Sequence, residues 1–477
     1  MARRSRSFRR RPGGQPLRSL RYHEAVRALQ ERGRFGIRLG LGRTRALLRE
    51  LGDPQHSFRG ALVAGTNGKG SVIALAGSAL RAAGYRVGET PKPHLVSYRE
   101  RAQVNGELIP AADFARLVSE VLPRAERIAP RLGEPTEFEL LTAVIFSWFR
   151  EVGIDVALVE VGLGGRLDAT HTWDGGVAVV TNVDLDHMDR LGPTIPLIAR
   201  EKAAIIMRGD RAVTGASGEA LTVIRRRARG LGVPLRETAP AMYLGAGRDG
   251  IEVDLPVFGR TRVGLRGRHQ AANVAVADAT LDALKEAGIC TAGPEARRAG
   301  YAAARWPGRL ELIEVDGRDV LLDGAHNPAG AAALAEALDD LRPFLSGGDR
   351  TSPSPATLLT AIMQDKDVPG VVRALARSAA LEGARIICTR PDLARALPPA
   401  QLAGHWRTAI PSARVEIEPD VGRALDRALE DTQGPVVVAG SLYLVGAVRA
   451  RLVDDPALKD PEDPGSEGSA SGGERSR

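Results

Sequence analysis

Cysteine and aromatic residues are scarce in this chain. Two cysteines, Cys290 and Cys388, stand far apart among 477 residues. They have neither the spacing of a metal site nor that of a redox pair, which excludes a disulfide-stapled scaffold and leaves two core thiols in a reducing compartment. Aromatics make up 4% of the chain, and no aromatic-rich basic stripe marks a nucleic-acid surface. No apolar run is long enough to span a membrane, and the N-terminus lacks the apolar stretch of a secretory signal. Acids are missing from the first eighteen residues, which hold seven arginines. That composition overlaps with organelle transit peptides. A solvated, disordered arm on a cytoplasmic protein is the simpler expectation.

The arm distorts the net charge of +8: it supplies +7, and the segment from Asp454 to the end supplies −4, leaving +5 for the body. With 43% hydrophobic residues, the body is long enough for two domains. The division expected is a basic arm over 1–17, a first domain over 18–304, a second over 305–453 and an acidic disordered tail over 454–477. The boundary falls in Ala304-Arg305-Trp306-Pro307-Gly308-Arg309, whose Pro and Gly suit a junction.

Apolar runs alternate with helix-compatible segments throughout, which predicts an α/β fold with parallel sheets and right-handed crossovers. Candidate strands are Val156–Gly162 and Val177–Val183, and, past the junction, Val320–Asp323, Thr357–Ile362, Arg385–Thr389 and Val436–Gly440. Helical spacing covers about 20–32, 44–51, 111–129, 137–151 and 271–286. Short alternating runs between 240 and 268 fit a small antiparallel insert. The glycines of Phe35-Gly36-Ile37-Arg38-Leu39-Gly40-Leu41-Gly42 follow no strand, so they suit a substrate-facing or packing loop.

One stretch organises the rest: Ala61-Leu62-Val63-Ala64-Gly65-Thr66-Asn67-Gly68-Lys69-Gly70-Ser71-Val72. A strand, a glycine-rich turn and a helix follow one another, so backbone N–H groups converge at a helix N-terminus and Lys69 can reach terminal phosphates. The pattern is incomplete, because Val63 replaces the first glycine and Gly70 separates Lys69 from the Ser71 hydroxyl. A phosphate cradle is favoured over an ordinary turn, with ATP as its ligand.

Three further groups stand at strand ends, where open α/β sheets bind ligands. Glu160 ends an apolar strand and is a candidate metal ligand, the alternative being a solvent-exposed terminus. His187 follows Asp184 and Asp186, and serves either as ligand or as a structural residue. In Asp323-Gly324-Ala325-His326-Asn327-Pro328, Asp323 suits ribose hydroxyls and His326 the reacting centre, the alternative being a plain helix cap. Lys202, by residue type alone, reads as a helix-surface lysine.

Taken in order from about Tyr22 to Leu452, these stretches resemble the folylpolyglutamate synthase/dihydrofolate synthase family of the Mur ligase superfamily. The resemblance rests on Gly65–Ser71, Pro93-His94-Leu95-Val96, Leu158–Thr170, Asp186-His187, Arg200-Glu201-Lys202-Ala203 and His269-Gln270. It continues through Trp306–Glu311, Asp323–Pro328 and Gly440–Gly446. It implies a P-loop ATPase-type parallel-sheet domain followed by a smaller Rossmann-like α/β domain. It also implies an ATP-dependent amide ligase that adds L-glutamate to a folate or dihydropteroate carboxylate through an acyl phosphate. By the same resemblance, Gly65, Thr66, Asn67, Gly68, Lys69, Gly70 and Ser71 hold phosphates, and Asn273, Arg309 and Asp323 contact the nucleotide. Ser71, Glu160 and His187 sit at magnesium, with a second ion held by a carbamylated Lys202, and His326 lies in the reacting region.

Two positions depart from the family pattern. Pro91-Lys92-Pro93-His94 stands where relatives have Thr-Ser-Pro-His, so Lys92 replaces a magnesium-site serine. Either its ammonium substitutes for part of the metal charge, or it points to solvent. His171 stands where Asn is usual. Alternatives to the folate reading are a ligase for another acid, or a P-loop regulatory ATPase using the basic arm. A cytoplasmic monomer without nucleic-acid or membrane partners is expected.

Overall fold

The apolar runs of the first domain are continuous rather than alternating, because their strands are covered on both faces. The computed structural model describes residues 19–33, 39–346, 354–430 and 434–461. The basic arm and the first part of the glycine stretch, Phe35–Arg38, lie outside the described residues.

The first sheet holds β1 (Gly60–Ala64), β2 (Val87–Thr90), β3 (Gln103–Val104), β4 (Glu107–Leu108), β5 (Val156–Glu160), β6 (Gly176–Val180), β7 (Arg211–Thr214) and β8 (Leu235–Glu237). Its order is β4-β3-β2-β5-β1-β6-β7-β8. Pairing is parallel from β2 to β8, and antiparallel at the β3–β4 edge. Successive residues of β1 serve opposite cores. Leu62 and Ala64 join one cluster with the helices Ala111–Leu132 and Glu137–Val152, and Ala61 and Val63 join the other with Lys69–Ala82 and Gln270–Glu286. Each fully buried Val or Leu contributes roughly 1.5–3 kcal/mol.

The region 240–268 is the expected insert, an antiparallel sheet of β9 (Met242–Gly247), β10 (Gly250–Leu255) and β11 (Gly259–Val263). The second domain carries β12 (Glu311–Val315), β13 (Arg318–Asp323), β14 (Thr357–Thr360), β15 (Arg385–Cys388), β16 (Arg414–Ile417) and β17 (Val436–Ala439). Their order is β12-β13-β17-β14-β15-β16, parallel except for the β12–β13 edge. Cys290 and Cys388 are both free and buried in core clusters, as expected of core thiols. Among the described residues, no helix is long and apolar enough to cross a membrane.

Two bidentate ion pairs pin the insert to the second domain: Arg248 on Asp319 at 2.7 Å through both nitrogens, and Arg268 on Asp340 at 2.6 and 2.7 Å. The acidic tail departs from expectation at its start. Beyond the last helix, Leu442–Leu452, the chain returns to the first domain, where Arg99 donates to the carbonyls of Ala457 and Lys459. Ser97 Oγ donates to Asp460 at 2.5 Å. A buried arginine with carbonyls to satisfy it fixes a segment that composition alone marks as disordered.

Candidate active site

Parallel strands place their C-terminal ends on one side, and β1 lies between β5 and β6. The loop after β1 therefore faces the ends of both neighbours. Thr66 N donates to Asn182 O at 3.1 Å, Asn67 N to Asn182 Oδ1 at 2.8 Å, and Thr181 Oγ1 to Asn67 O at 2.6 Å. These bonds fix the loop from the β6 side. The first intrahelical bond runs from Val72 N to Gly68 O, so the N–H groups of Lys69, Gly70 and Ser71 have no partner within the helix and stand free for an anion.

Two glycines are set by close approach. Gly68 has φ +81° and lies under the Asn273 amide. A Cβ on Gly70 would stand 2.6 Å from Cε2 and 2.9 Å from Nε1 of Trp306, at the domain junction. The residue that interrupts the usual Lys-Ser pair is thus the one over which the junction indole packs.

Between the two domains lies a cavity of about 1050 Å³. Every residue singled out above as catalytic, nucleotide-binding or metal-binding lines it: the 65–71 loop, Glu160, His187, Lys202, Asn273, Arg309, Asp323 and His326. Glu160 is 4% exposed, which discards the solvent-exposed strand end. Burial raises its carboxyl above the usual range against the pull of Lys69 and Lys92. Lys69 Nζ donates to the carbonyls of Gly65 and Thr66 at 3.0 and 3.1 Å and lies 3.9 Å from Glu160 Oε1.

Lys202 corrects the reading from residue type. It is 5% exposed, and Nζ donates to Gly65 O at 2.9 Å. Burial, reinforced by Lys69, lowers its pKa to about 7. Lys92 likewise does not point to solvent. Its backbone N donates to Glu160 Oε2 at 2.9 Å, its Nζ donates to the Glu160 carbonyl oxygen, and the ammonium lies 4.4 Å from the Phe138 ring centroid. Withdrawal from water lowers its pKa to about 8.

The second domain supplies the opposite wall. Asp323 accepts from Leu310 N at 2.9 Å and Ala325 N at 2.8 Å, and burial raises its carboxyl despite Arg309. His326 Nδ1 lies 2.7 Å from Gly324 O. A carbonyl only accepts, so Nδ1 carries the proton and Nε2 keeps its lone pair. Burial lowers the His326 pKa to about 4.

Sequence reasoning gave no site role to the residues that join the walls, although of these only Lys366 stands outside the motifs named above. Asp186 Oδ1 lies 3.4 Å from Lys366 Nζ, and its Oδ2 lies 3.4 Å from Asn327 Nδ2. Burial would raise the Asp186 carboxyl, but His187, Lys366 and His326 hold it below the usual range. Gln270 Nε2 reaches Ser71 Oγ at 3.3 Å, and Asn273 donates to Gln270 at 2.9 Å. Asp168 gathers the loop after β5, accepting from Gly162 N, Leu163 N, Thr170 N and Thr170 Oγ1 at 2.6–3.0 Å. Asp168 lay inside a quoted motif, and its turn-gathering spacing was the available signal. His171 Nδ1 lies 3.1 Å from Arg166 O, so the departure from Asn serves the same loop.

Comparison with known proteins points to one family. The family description "Dihydrofolate synthetase, C-terminal domain" matches residues 311–452. The dihydrofolate synthase/folylpolyglutamate synthase of Bacillus subtilis is 34% identical over 442 residues, covering 90% of this chain and 99% of that protein. The Mycobacterium tuberculosis folylpolyglutamate synthase solved with ADP and AMPPCP has a TM-score of 0.79 and 31% identity, over 91% of this chain and 100% of that one. The bifunctional folylpolyglutamate synthase/dihydrofolate synthase of Yersinia pestis, solved with AMPPNP and a manganese ion, has a TM-score of 0.76 and 28% identity, over 92% of this chain and 100% of that one. With a relative this similar along nearly its whole length, the chain belongs to the dihydrofolate synthase/folylpolyglutamate synthase family.

Proposed function

We propose that this protein is an ATP-dependent ligase that joins L-glutamate to the carboxylate of dihydropteroate or a reduced folate through an acyl phosphate. The observation that carries the reading is one cavity with the 65–71 loop, Lys69 and Lys202 on one wall and Arg309 and His326 on the other. The free N–H groups of the loop take the phosphates. Lys69, leaving the carbonyls of Gly65 and Thr66, reaches the terminal one. Asn273, Arg309 and Asp323 hold the rest of the nucleotide.

The acid substrate's carboxylate oxygen then bonds to the γ-phosphorus as the bond to the β-bridging oxygen breaks, and ADP leaves. The glutamate amine next bonds to the acyl carbon, the acyl carbon–oxygen bond breaks, and inorganic phosphate leaves. His326, neutral at pH 7, offers Nε2 as acceptor to the incoming amine. Both steps need water excluded from the acyl phosphate, which closure of the two domains over the cavity would provide.

The donors fit magnesium: Ser71 and Glu160 offer buried oxygens, and His187 lines the same cavity. Among the described residues no three His, Cys, Asp or Glu side chains converge, so phosphate oxygens would complete the shell, as is usual for magnesium. Bound there, the ion would neutralise the polyphosphate. The Lys202 amine, its pKa lowered to about 7 so that a large fraction is unprotonated near neutral pH, is suited to add carbon dioxide, forming a C–N bond and losing a proton, so that a cation becomes an anionic ligand.

The catalytic unit is the monomer, since every residue given a role above lines one cavity of a single chain. Two buried free thiols suit the cytoplasm. The first domain ends at 304 and the second begins at 305, just before the turn that leads into β12. Phosphate release from ATP with magnesium tests the reading, using dihydropteroate and tetrahydrofolate as acceptors. Release with either acceptor only when glutamate is also present is expected. Release without any acid would refute it in favour of a regulatory ATPase.

A further inference from the structure

Lys92 has no part in this scheme, yet it stands at its centre. It follows β2, whose Thr90 pairs with Val159 of β5. That register brings both ends of Lys92 to Glu160: the backbone N–H to a carboxylate oxygen and the ammonium to the carbonyl. Glu160 therefore lies between two lysines, with Lys69 Nζ 3.9 Å from its other oxygen. Asp168, the next carboxylate, already accepts four hydrogen bonds from its own loop. An ammonium has three N–H donors. One goes to the Glu160 carbonyl, the Phe138 face takes another side of the cation, and the group lines the cavity. Local anions leave it donor capacity that a polyphosphate oxygen would use.

We propose that the Lys92 ammonium is a built-in cation beside Glu160 that contacts the bound polyphosphate and takes the place of one divalent ion. A dication coordinated by Glu160 on that side would meet a fixed positive charge already seated on the same residue. Like charges at such a distance in a partly desolvated site repel strongly. The inference rests on the nucleotide reading above.

The test is a titration of the full-length protein with Mn²⁺ at saturating AMPPCP, counting bound manganese by the loss of its free-ion paramagnetic resonance signal. AMPPCP affinity is measured in parallel. One ion per chain is expected for the wild type and two for Lys92→Ser. Lys92→Arg, which keeps the charge, stays at one. Lys92→Met keeps the stem against Phe138 and takes up the second ion, which guards against a variant that fails to fold. Two ions in the wild type, or the same count in wild type and Lys92→Ser, would overturn the proposal. Absence of AMPPCP binding to the wild type would instead sink the nucleotide reading, so the two failures are distinct.

Discussion

Gly70→Ala sets two physical effects against each other. Within the helix Lys69–Ala82, replacing glycine by alanine stabilises by roughly 0.5–1 kcal/mol through lost chain entropy. The new methyl, however, would stand 2.6 Å from Trp306 Cε2 and 2.9 Å from Nε1, about 1 Å inside normal carbon contact. Trp306 packs against the core at the junction, so it cannot swing away without cost, and overpacking of this kind costs about 1–3 kcal/mol. The clash should win, with net destabilisation of up to about 2.5 kcal/mol. Removing the indole should reverse the sign, making Gly70→Ala in a Trp306→Ala background stabilising by up to about 1 kcal/mol. Urea unfolding of the wild type, both single variants and the double variant reads out the cycle. A coupling of about 1–3 kcal/mol is expected; additive effects would refute the claim that Gly70 is dictated by the indole.

Lys202 predicts a pH dependence. Its folded pKa is about 7 against an ordinary 10.5, so between those values the unfolded chain binds the extra proton and stability rises with pH. Lys202→Met should flatten that rise and stabilise the protein below pH 7 by ~5 kcal/mol, as judged from urea midpoints across pH in bicarbonate-free buffer. With isotope-labelled bicarbonate, the wild type should show a carbamate carbon signal that Lys202→Met lacks. Asp340→Ala removes the acceptor of Arg268 and of Tyr243, 3.1 Å away, and should cost about 1–2 kcal/mol and expose the 240–268 insert to proteolysis. Truncation after Val453 should raise hydrogen exchange around residues 95–101, and unchanged exchange there would dismiss the docking of the tail.

What was legible in the chain follows from how local each signal is. Val156–Glu160 and Gly176–Val180 announce themselves because strands buried on both faces need continuous apolar sequence. Val87-Gly88-Glu89-Thr90 does not: it is four residues long, and its glutamate is buried only because Arg81 pairs with it. Strand β7 and the edge strand β8 begin or end in charged residues and carry too few apolar positions to stand out. The cradle was visible because its glycines, lysine and serine are consecutive. The burial of Lys202 was not, since the carbonyl that holds it belongs to Gly65, 137 positions away. The Asp186–Lys366 contact spans 180 positions and has no local signature at all.

The docked tail changes what the second domain can do. That domain is attached to the first at the Trp306 junction and again where Asp460 meets Ser97 and Arg99. A single covalent linker would let it swivel in any direction. Once the Arg248–Asp319 and Arg268–Asp340 pairs release, the two remaining anchor points define an axis between them and leave one easy rotation, like a door on two hinges. Any opening that admits ATP and folate must then follow that arc, and the same arc must return His326 and Arg309 to the cradle at each turnover.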